Sequence, residues 1–194
     1  MPTYKTDQEN FWAGNFGTDY IDRNKSAQLM ASNLDYFAKS LKLATNIDTV
    51  IEFGANIGMN LKALRLLRPD LKLSGIEINE DAAKILEELI GEDNTYLESI
   101  LTFAPKTKSD LVLLKGVLIH INPDELDSLY QIMYDASNKY ILIGEYYNPV
   151  PVTISYRGHE NRLFKRDFAG DMLKKFNDVR LIDYGFAYKN DPSY

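Results

Sequence analysis

The chain contains no cysteine. Disulfides, thiolate nucleophiles, zinc knuckles and cysteine-held iron–sulfur clusters are therefore excluded. Histidine is scarce as well. His120 and His159 are the only two, too few for a histidine-rich metal centre. The acids Glu52, Glu77 and Glu145 are dispersed along the chain without ligand-like spacing, so no metal is expected. No stretch approaches the roughly 20 apolar residues that cross a bilayer. The longest apolar run, Leu111 to Ile121, is broken by Lys115, Gly116 and His120. Met1 to Asn10 is polar and does not read as a signal peptide. A cytoplasmic, soluble protein with no membrane partner is expected. Positive charge is short too: 22 Lys and Arg face 28 Asp and Glu, for a net charge of −6. That balance argues against a nucleic-acid partner.

What is present suits one globular domain over residues 1–194. Apolar residues make up 45% of the chain and aromatics 12%, enough for a real core. Strand-like and helix-like segments alternate, the mark of an α/β fold with a mostly parallel sheet and helices on both faces. Thr49–Phe53, Leu71–Ile78, Thr95–Glu98, Asp110–Lys115 and Tyr140–Glu145 read as strands. Helices are expected over Ser26–Leu43, from Gly58 to Arg68, over Glu80–Gly91 after an Asn79 cap, after Asn122-Pro123, and over Asp167–Phe176. A last strand is expected near Val179–Tyr184. Two segments break the alternation. Residues 1–25 mix Phe11, Trp12, Phe16 and Tyr20 with glycines and asparagines, which argues for turns packed on something. Residues 146–165 read as a long loop.

Four features recur at the C-terminal ends of successive strands, where an open α/β sheet binds ligands. The first is Glu52-Phe53-Gly54-Ala55-Asn56-Ile57-Gly58. Its G-x-x-x-G spacing lacks the middle glycine of a dinucleotide fingerprint, so it suits a ligand without phosphates and makes a nicotinamide dehydrogenase a poor fit. The second is Glu77, ending the second strand, where an acid can accept both ribose hydroxyls of an adenosine. The third is Ser99-Ile100, a polar and an aliphatic side chain for an adenine edge and face. The fourth is Asp110-Leu111-Val112 running to Lys115-Gly116-Val117, then His120-Ile121-Asn122-Pro123. Each piece alone is also compatible with ordinary loop chemistry.

In combination these motifs resemble the class I S-adenosylmethionine-dependent methyltransferases, with a Rossmann-like sheet. The resemblance covers about Val50 to Glu145. It implies that Phe53, Gly54, Ala55, Asn56 and Gly58 wrap the methionine end of S-adenosylmethionine. It implies that Glu77 holds the ribose, Ile78 packs on the adenine, and Ser99 and Ile100 border it. Lys115, Gly116 and Val117 would line the cofactor floor. The stretches Phe11–Asn24, Lys115–Pro123, Gly144–Pro149 and Tyr156–His159 resemble more closely the pseudaminic acid biosynthesis-associated methylases. That likeness implies methyl transfer and, less directly, a nonulosonic acid sugar as acceptor. It also implies a further antiparallel strand near the C-terminus, which this chain is expected to lack. The missing strand would leave an open sheet edge.

The flanking segments supply the substrate side. Residues 1–25 are expected to form a lid. Trp12 and Tyr20 would present ring faces to a sulfonium, and Arg23 would pair with the cofactor carboxylate. The alternative is an arm that only covers apolar surface. In the 146–165 loop, Arg157, His159, Arg162, Lys165 and the adjoining Arg166 form a basic island in an acidic protein. With Tyr146, Tyr147 and Tyr156 it would receive a small anionic substrate; the alternative is a solvated loop. His120 is the candidate catalytic base, because imidazole titrates near neutral pH; the alternative is a binding role only. Three functions compete: a small-molecule methyltransferase, a methyltransferase acting on a protein side chain, and a non-catalytic nucleoside-binding assembly partner. The acceptor atom and the oligomeric state are not legible.

Overall fold

A computed structural model describes residues 4–188, 190 and 191; residues 1–3, 189 and 192–194 lie outside it, including the final Pro192-Ser193-Tyr194. The sheet is built from β1 (Thr49–Phe53), β2 (Lys72–Glu77), β3 (Thr95–Leu97), β4 (Ser109–Lys115) and β5 (Ser137–Gly144). All neighbours are parallel, in the order β3-β2-β1-β4-β5. Parallel strands are buried on both faces, which explains the unbroken apolar run of β4. Leu111 and Leu113 enter one core; Val112 and Leu114 enter the other.

The first core packs α3 (Ala27–Ser40), α4 (Met59–Leu67) and α5 (Glu80–Ile90) on the sheet through Phe37, Leu61, Leu64 and Leu86. The second packs α6 (Leu126–Ala136) and α7 (Phe168–Lys175) through Leu126, Leu129, Met133, Phe168 and Met172. Asp110 ties the opposite end of the sheet together. Its carboxylate accepts from the backbone N–H groups of Asp48 and Thr49, from Asn138 and from Lys139. Strand order reverses between β1 and β4, so the crevice that binds ligands in such sheets opens at the C-terminal ends of these strands.

Three expectations need correction. Residues 1–25 are not a run of turns. They hold α1 (Asp7–Ala13) and α2 (Asn15–Ile21), with the extended Gly14 between them. The signal lay in Thr6-x-x-Glu9, whose side chains and backbones cap each other reciprocally. Residues 146–165 are not an irregular loop. They contain β6 (Val152–Tyr156) and β7 (His159–Lys165), an antiparallel hairpin. It turns at Arg157-Gly158, both at positive φ (52° and 83°), as a two-residue hairpin turn requires. The strand expected near Val179–Tyr184 does not form. That segment has no regular structure and stands off β5, leaving a groove of about 540 Å³ between them. Among the described residues the sheet therefore ends at β5. The first long helix also stops at Ser40, not Leu43, and β5 starts at Ser137, before Tyr140. No helix among the described residues is long and apolar enough to cross a membrane.

Candidate active site

The turn after β1 winds through three left-handed residues: Gly54 (φ 72°), Asn56 (φ 49°) and Gly58 (φ 77°). Asparagine is among the few side chains that tolerate this region, so Asn56 keeps the turn that the missing glycine would have made. A Cβ on Gly54 would press on Val117 at 2.8 Å, which locks this turn against the loop after β4. Glu77 at the end of β2 accepts the backbone N–H of Asn56 at 2.7 Å and of Asn79 at 2.8 Å. Burial raises its pKa, and those N–H groups pull it back. The Ile78 N–H adds to them; a carboxylate has about four acceptor positions, so some capacity remains for a ligand's hydroxyl. Gly116 (φ 72°) has only open space where a Cβ would stand, so the loop after β4 presents bare backbone there.

Two more carboxyls belong to this end of the sheet, Glu52 buried and Glu145 half-buried. Glu52 is fully buried; burial pushes its pKa up to about 8, and Asn60 donates to it at 2.6 Å. Glu145 follows β5 and accepts the backbone N–H groups of Val117 and Leu118. Burial pushes it up to about 7. One oxygen of each, Oε2, is buried without a partner. Lys115 offsets their charge. Its ammonium donates to Asn33 at 3.1 Å and lies 5.5 Å from the Tyr36 ring centre, on the α3 side. Burial lowers its pKa, against the pull of both acids. The Lys115 side chain is thus placed against α3. Among the described residues no group of three or more His, Asp or Glu side chains is placed to hold a metal.

The two flanking segments meet over this crevice. Trp12 lies 4.7 Å from the His120 ring and 5.2 Å from Tyr20, centre to centre. Tyr156 of the hairpin packs on His120 at 4.8 Å. His159 packs on Phe11 and Phe16, and the Arg162 guanidinium covers Phe11. Gln8 donates to the carbonyl of Asn161. The N-terminal helices and the hairpin are therefore one aromatic clasp with His120 beneath it. His120 is 7% exposed. Its Nδ1 lies 2.6 Å from the Arg162 carbonyl oxygen. A carbonyl only accepts, so Nδ1 carries the hydrogen and Nε2 is bare. Burial pushes this imidazole down to about 4, so it is neutral at pH 7.

Several site candidates are brought together: Trp12, Tyr20, His120, Tyr156, His159 and Arg162. Arg157 stacks on Tyr156 and feels the hydroxyls of Tyr20 and Tyr146. Lys165 covers Tyr146. Others stand apart. Arg23 is exposed over the Phe16 ring, Tyr147 is 65% exposed, and Arg166 faces Asp171. Ser99 and Ile100 are buried after β3, as is Ala55, which packs beside Gly75; Ile78 is half-buried next to Glu77.

Sequence reasoning missed two residues that anchor the N-terminal helices. Glu9 accepts from Ser99, Thr6 Oγ1 and the Thr6 backbone, joining α1 to the loop after β3. Asn79 caps α5 through Oδ1. Its amide nitrogen lies 3.2–3.4 Å from the carbonyls of Trp12, Ala13 and Gly14 and from the Thr18 hydroxyl. The cap was legible; the second contact is a long-range one with no sequence signal.

No family model matches the chain, and no curated protein does. Solved structures do. The sugar N-methyltransferase KedS8 from Streptoalloteichus sp ATCC 53650 aligns with a TM-score of 0.57 at 13% identity, over 81% of this chain and 66% of that one. The mitomycin 7-O-methyltransferase MmcR aligns with a TM-score of 0.64 at 15% identity, over 88% and 54%. The plantazolicin methyltransferase BpumL, solved with S-adenosylhomocysteine, aligns with a TM-score of 0.55 at 17% identity, over 72% and 57%. The chain thus spans roughly half to two thirds of these structures' lengths, and it has the Rossmann-like methyltransferase fold.

Proposed function

We propose that the chain is an S-adenosylmethionine-dependent methyltransferase whose acceptor is a small anionic metabolite, such as a nonulosonic acid sugar or nucleotide-sugar. One observation carries the reading. Glu77 is a buried carboxylate at the C-terminal end of β2, beside the left-handed turn that follows β1 and beneath the N-terminal helices, with acceptor capacity left over. That suits a ribose without a diphosphate. The residues also fit the cofactor's other end. The unpartnered Oε2 of Glu145 suits an ammonium, which would also draw the proton off the neutral Glu52.

The cofactor supplies an electrophilic methyl carbon on a sulfonium; the acceptor bonds to it as the carbon–sulfur bond breaks and its electron pair stays on sulfur. The chain supplies alignment and a dry chamber. Trp12 and Tyr20 give ring faces that attract a cation. His120 Nε2 receives a proton or holds the group that carries one. Arg157, with the Tyr20, Tyr146 and Tyr156 hydroxyls around it, holds the anionic part of the acceptor. Lys165 and Arg162 add charge at the rim.

Calorimetry with S-adenosylmethionine, S-adenosylhomocysteine and NAD tests the reading, on wild type and Glu77→Ala. The first two are expected to bind in the micromolar range and NAD not to bind. Glu77→Ala removes charge-assisted hydrogen bonding to the ribose, worth about 1.5–3 kcal/mol for a single bond, so at least a tenfold loss is expected. Absence of binding to either sulfur compound refutes the reading.

A further inference from the structure

Among the described residues β5 is the open edge of the sheet, paired with β4 on one side only. Its centre, Tyr140-Ile141-Leu142-Ile143, has no charge and no proline, the usual guards of an edge strand. Lys139 is taken up by Asp110 and the Asn46 carbonyl. The groove of about 540 Å³ beside β5 is lined by Tyr140 and Leu142, by Leu43, Met172 and Leu173, and by residues 178–183 as its outer wall. Leu43 and Leu173 are exposed at its rims. The same chain holds an unpaired segment of matching kind. Tyr184, Phe186 and Tyr188 alternate with Gly185 and Ala187, so an extended backbone puts three rings on one face and only small groups on the other. The Phe186 and Tyr188 rings already lie 6.3 Å apart. All three rings are exposed, Tyr184 at 87% and Phe186 at 85%. None lines the groove, whose wall ends at Asp183. Tyr184 and Phe186 alone expose about 300–400 Å², the size of the largest apolar patch on a typical monomer.

We propose that the partner of this surface is a second copy of the chain: residues 184–188 of each copy add a strand to β5 of the other, seated in its groove. The proposal does not depend on the methyl-transfer reading. Five residues of the segment match the five of β5 from Tyr140 to Gly144. Main-chain hydrogen bonds to the open edge hold the added strand, and its alternate side chains enter the groove. The fit is self-complementary. Each copy brings one open edge and one unpaired segment, so a twofold exchange uses both and closes at two. Within one chain the segment runs on from the groove's own wall without entering it. An unrelated peptide would fill the groove and leave Tyr184 and Phe186 in water, whereas a second copy covers them. The area suffices too. Burying three rings of about 150–250 Å² each, with the groove surface that they meet, twice over, reaches about 1,600 Å², the size of a standard stable interface.

Sedimentation of the full chain over a concentration series tests it. A dimer of micromolar or tighter affinity is expected, the range of interfaces of this area. Tyr184→Ser and Phe186→Ser each count twice in a twofold exchange, so each is expected to weaken the dimer at least about a hundredfold, the scale of two hot-spot losses. Both side chains stand in solvent in the single chain, so their loss leaves its core intact. Leu66→Ser removes an exposed apolar side chain that does not line the groove, and is expected to leave the dimer unchanged. Hydrogen exchange locates the contact. The amides of Tyr140–Gly144 that point away from β4 are expected to gain protection as concentration rises, and not to gain it in Phe186→Ser. A chain that stays monomeric overturns the proposal. So do open-ended polymers, a dimer indifferent to both serine variants, or a dimer that leaves β5 exchange unchanged. A monomer that binds S-adenosylhomocysteine refutes this pairing alone and leaves the methyl-transfer reading standing.

Discussion

Asn79→Asp separates two jobs that one side chain does. The carboxylate of Asp caps a helix as well as Asn does, so Oδ1 still accepts from Ala82 and α5 keeps its first turn. The amide hydrogens are lost. In the native chain they serve the carbonyls of Trp12, Ala13 and Gly14 and the Thr18 hydroxyl, at 3.2–3.4 Å. One NH₂ group has two hydrogens, so about two bonds disappear, worth together about 2 kcal/mol at the usual net value. That corresponds to roughly a thirtyfold rise in the open population of the N-terminal helix pair. The new charge faces carbonyl oxygens and adds to the effect. Hydrogen exchange reads it directly: α1 and α2 amides are expected to exchange about thirtyfold faster, with α5 unchanged. Asn79→Ala removes the cap too, at about 1 kcal/mol more, and its α5 first turn is expected to fray. Wild-type protection of α1 and α2 in Asn79→Asp, or equal loosening of α5, refutes the reasoning.

Gly17→Ala reverses the usual sign. In an open helix Ala is better than Gly by about 0.5–1 kcal/mol, but here its Cβ meets the Trp12 carbonyl at 1.9 Å; a loss of about 2 kcal/mol or more is expected in urea denaturation. Asp110, held by the backbone N–H groups of Asp48 and Thr49 and by Asn138 and Lys139, has its pKa well below the usual carboxylate range. Its contribution is fully present above the unfolded value and is lost as pH falls below about 4, so the urea midpoint is expected to drop there, and Asp110→Asn to flatten the drop. His120 is the opposite kind of group: burial lowers it to about 4. The neutral ring stabilises the fold above pH about 6.5, and that contribution is lost as pH falls from there toward 4. An NMR titration of His120 is expected to have its midpoint near 4, and a midpoint near 6.5 refutes its burial.

The sheet was legible because its strands carry their own pattern. Leu111 to Leu114 is apolar without alternation, and Asn79 and Asn122 announce the helices that follow them. The crevice was legible for the same reason: Gly54, Asn56, Gly58 and Glu77 sit at strand ends. The hairpin was not. Thr153, Ile154 and Ser155 face solvent, so β6 shows no buried face to read, and its turn uses Arg157 at positive φ where glycine or asparagine would have signalled it. The strand expected at Val179–Tyr184 failed for the reverse reason: its residues have strand propensity and no partner in register. His120 was chosen for its ordinary pKa, and burial removes that property. What remains is a fixed tautomer, set by a carbonyl 42 positions away, which no local pattern encodes.

The clasp also orders events in time. Helices α1 and α2 have seven residues each, too short to hold themselves in water. Their anchors come late in the chain: Asn79 follows Trp12 by 67 positions, and Asn161 follows Gln8 by 153. At ribosomal speeds of about 5–20 residues per second, this segment waits roughly ten to thirty seconds before its last contact exists. A segment made before the sheet is thus seated after it, on strands that have already paired.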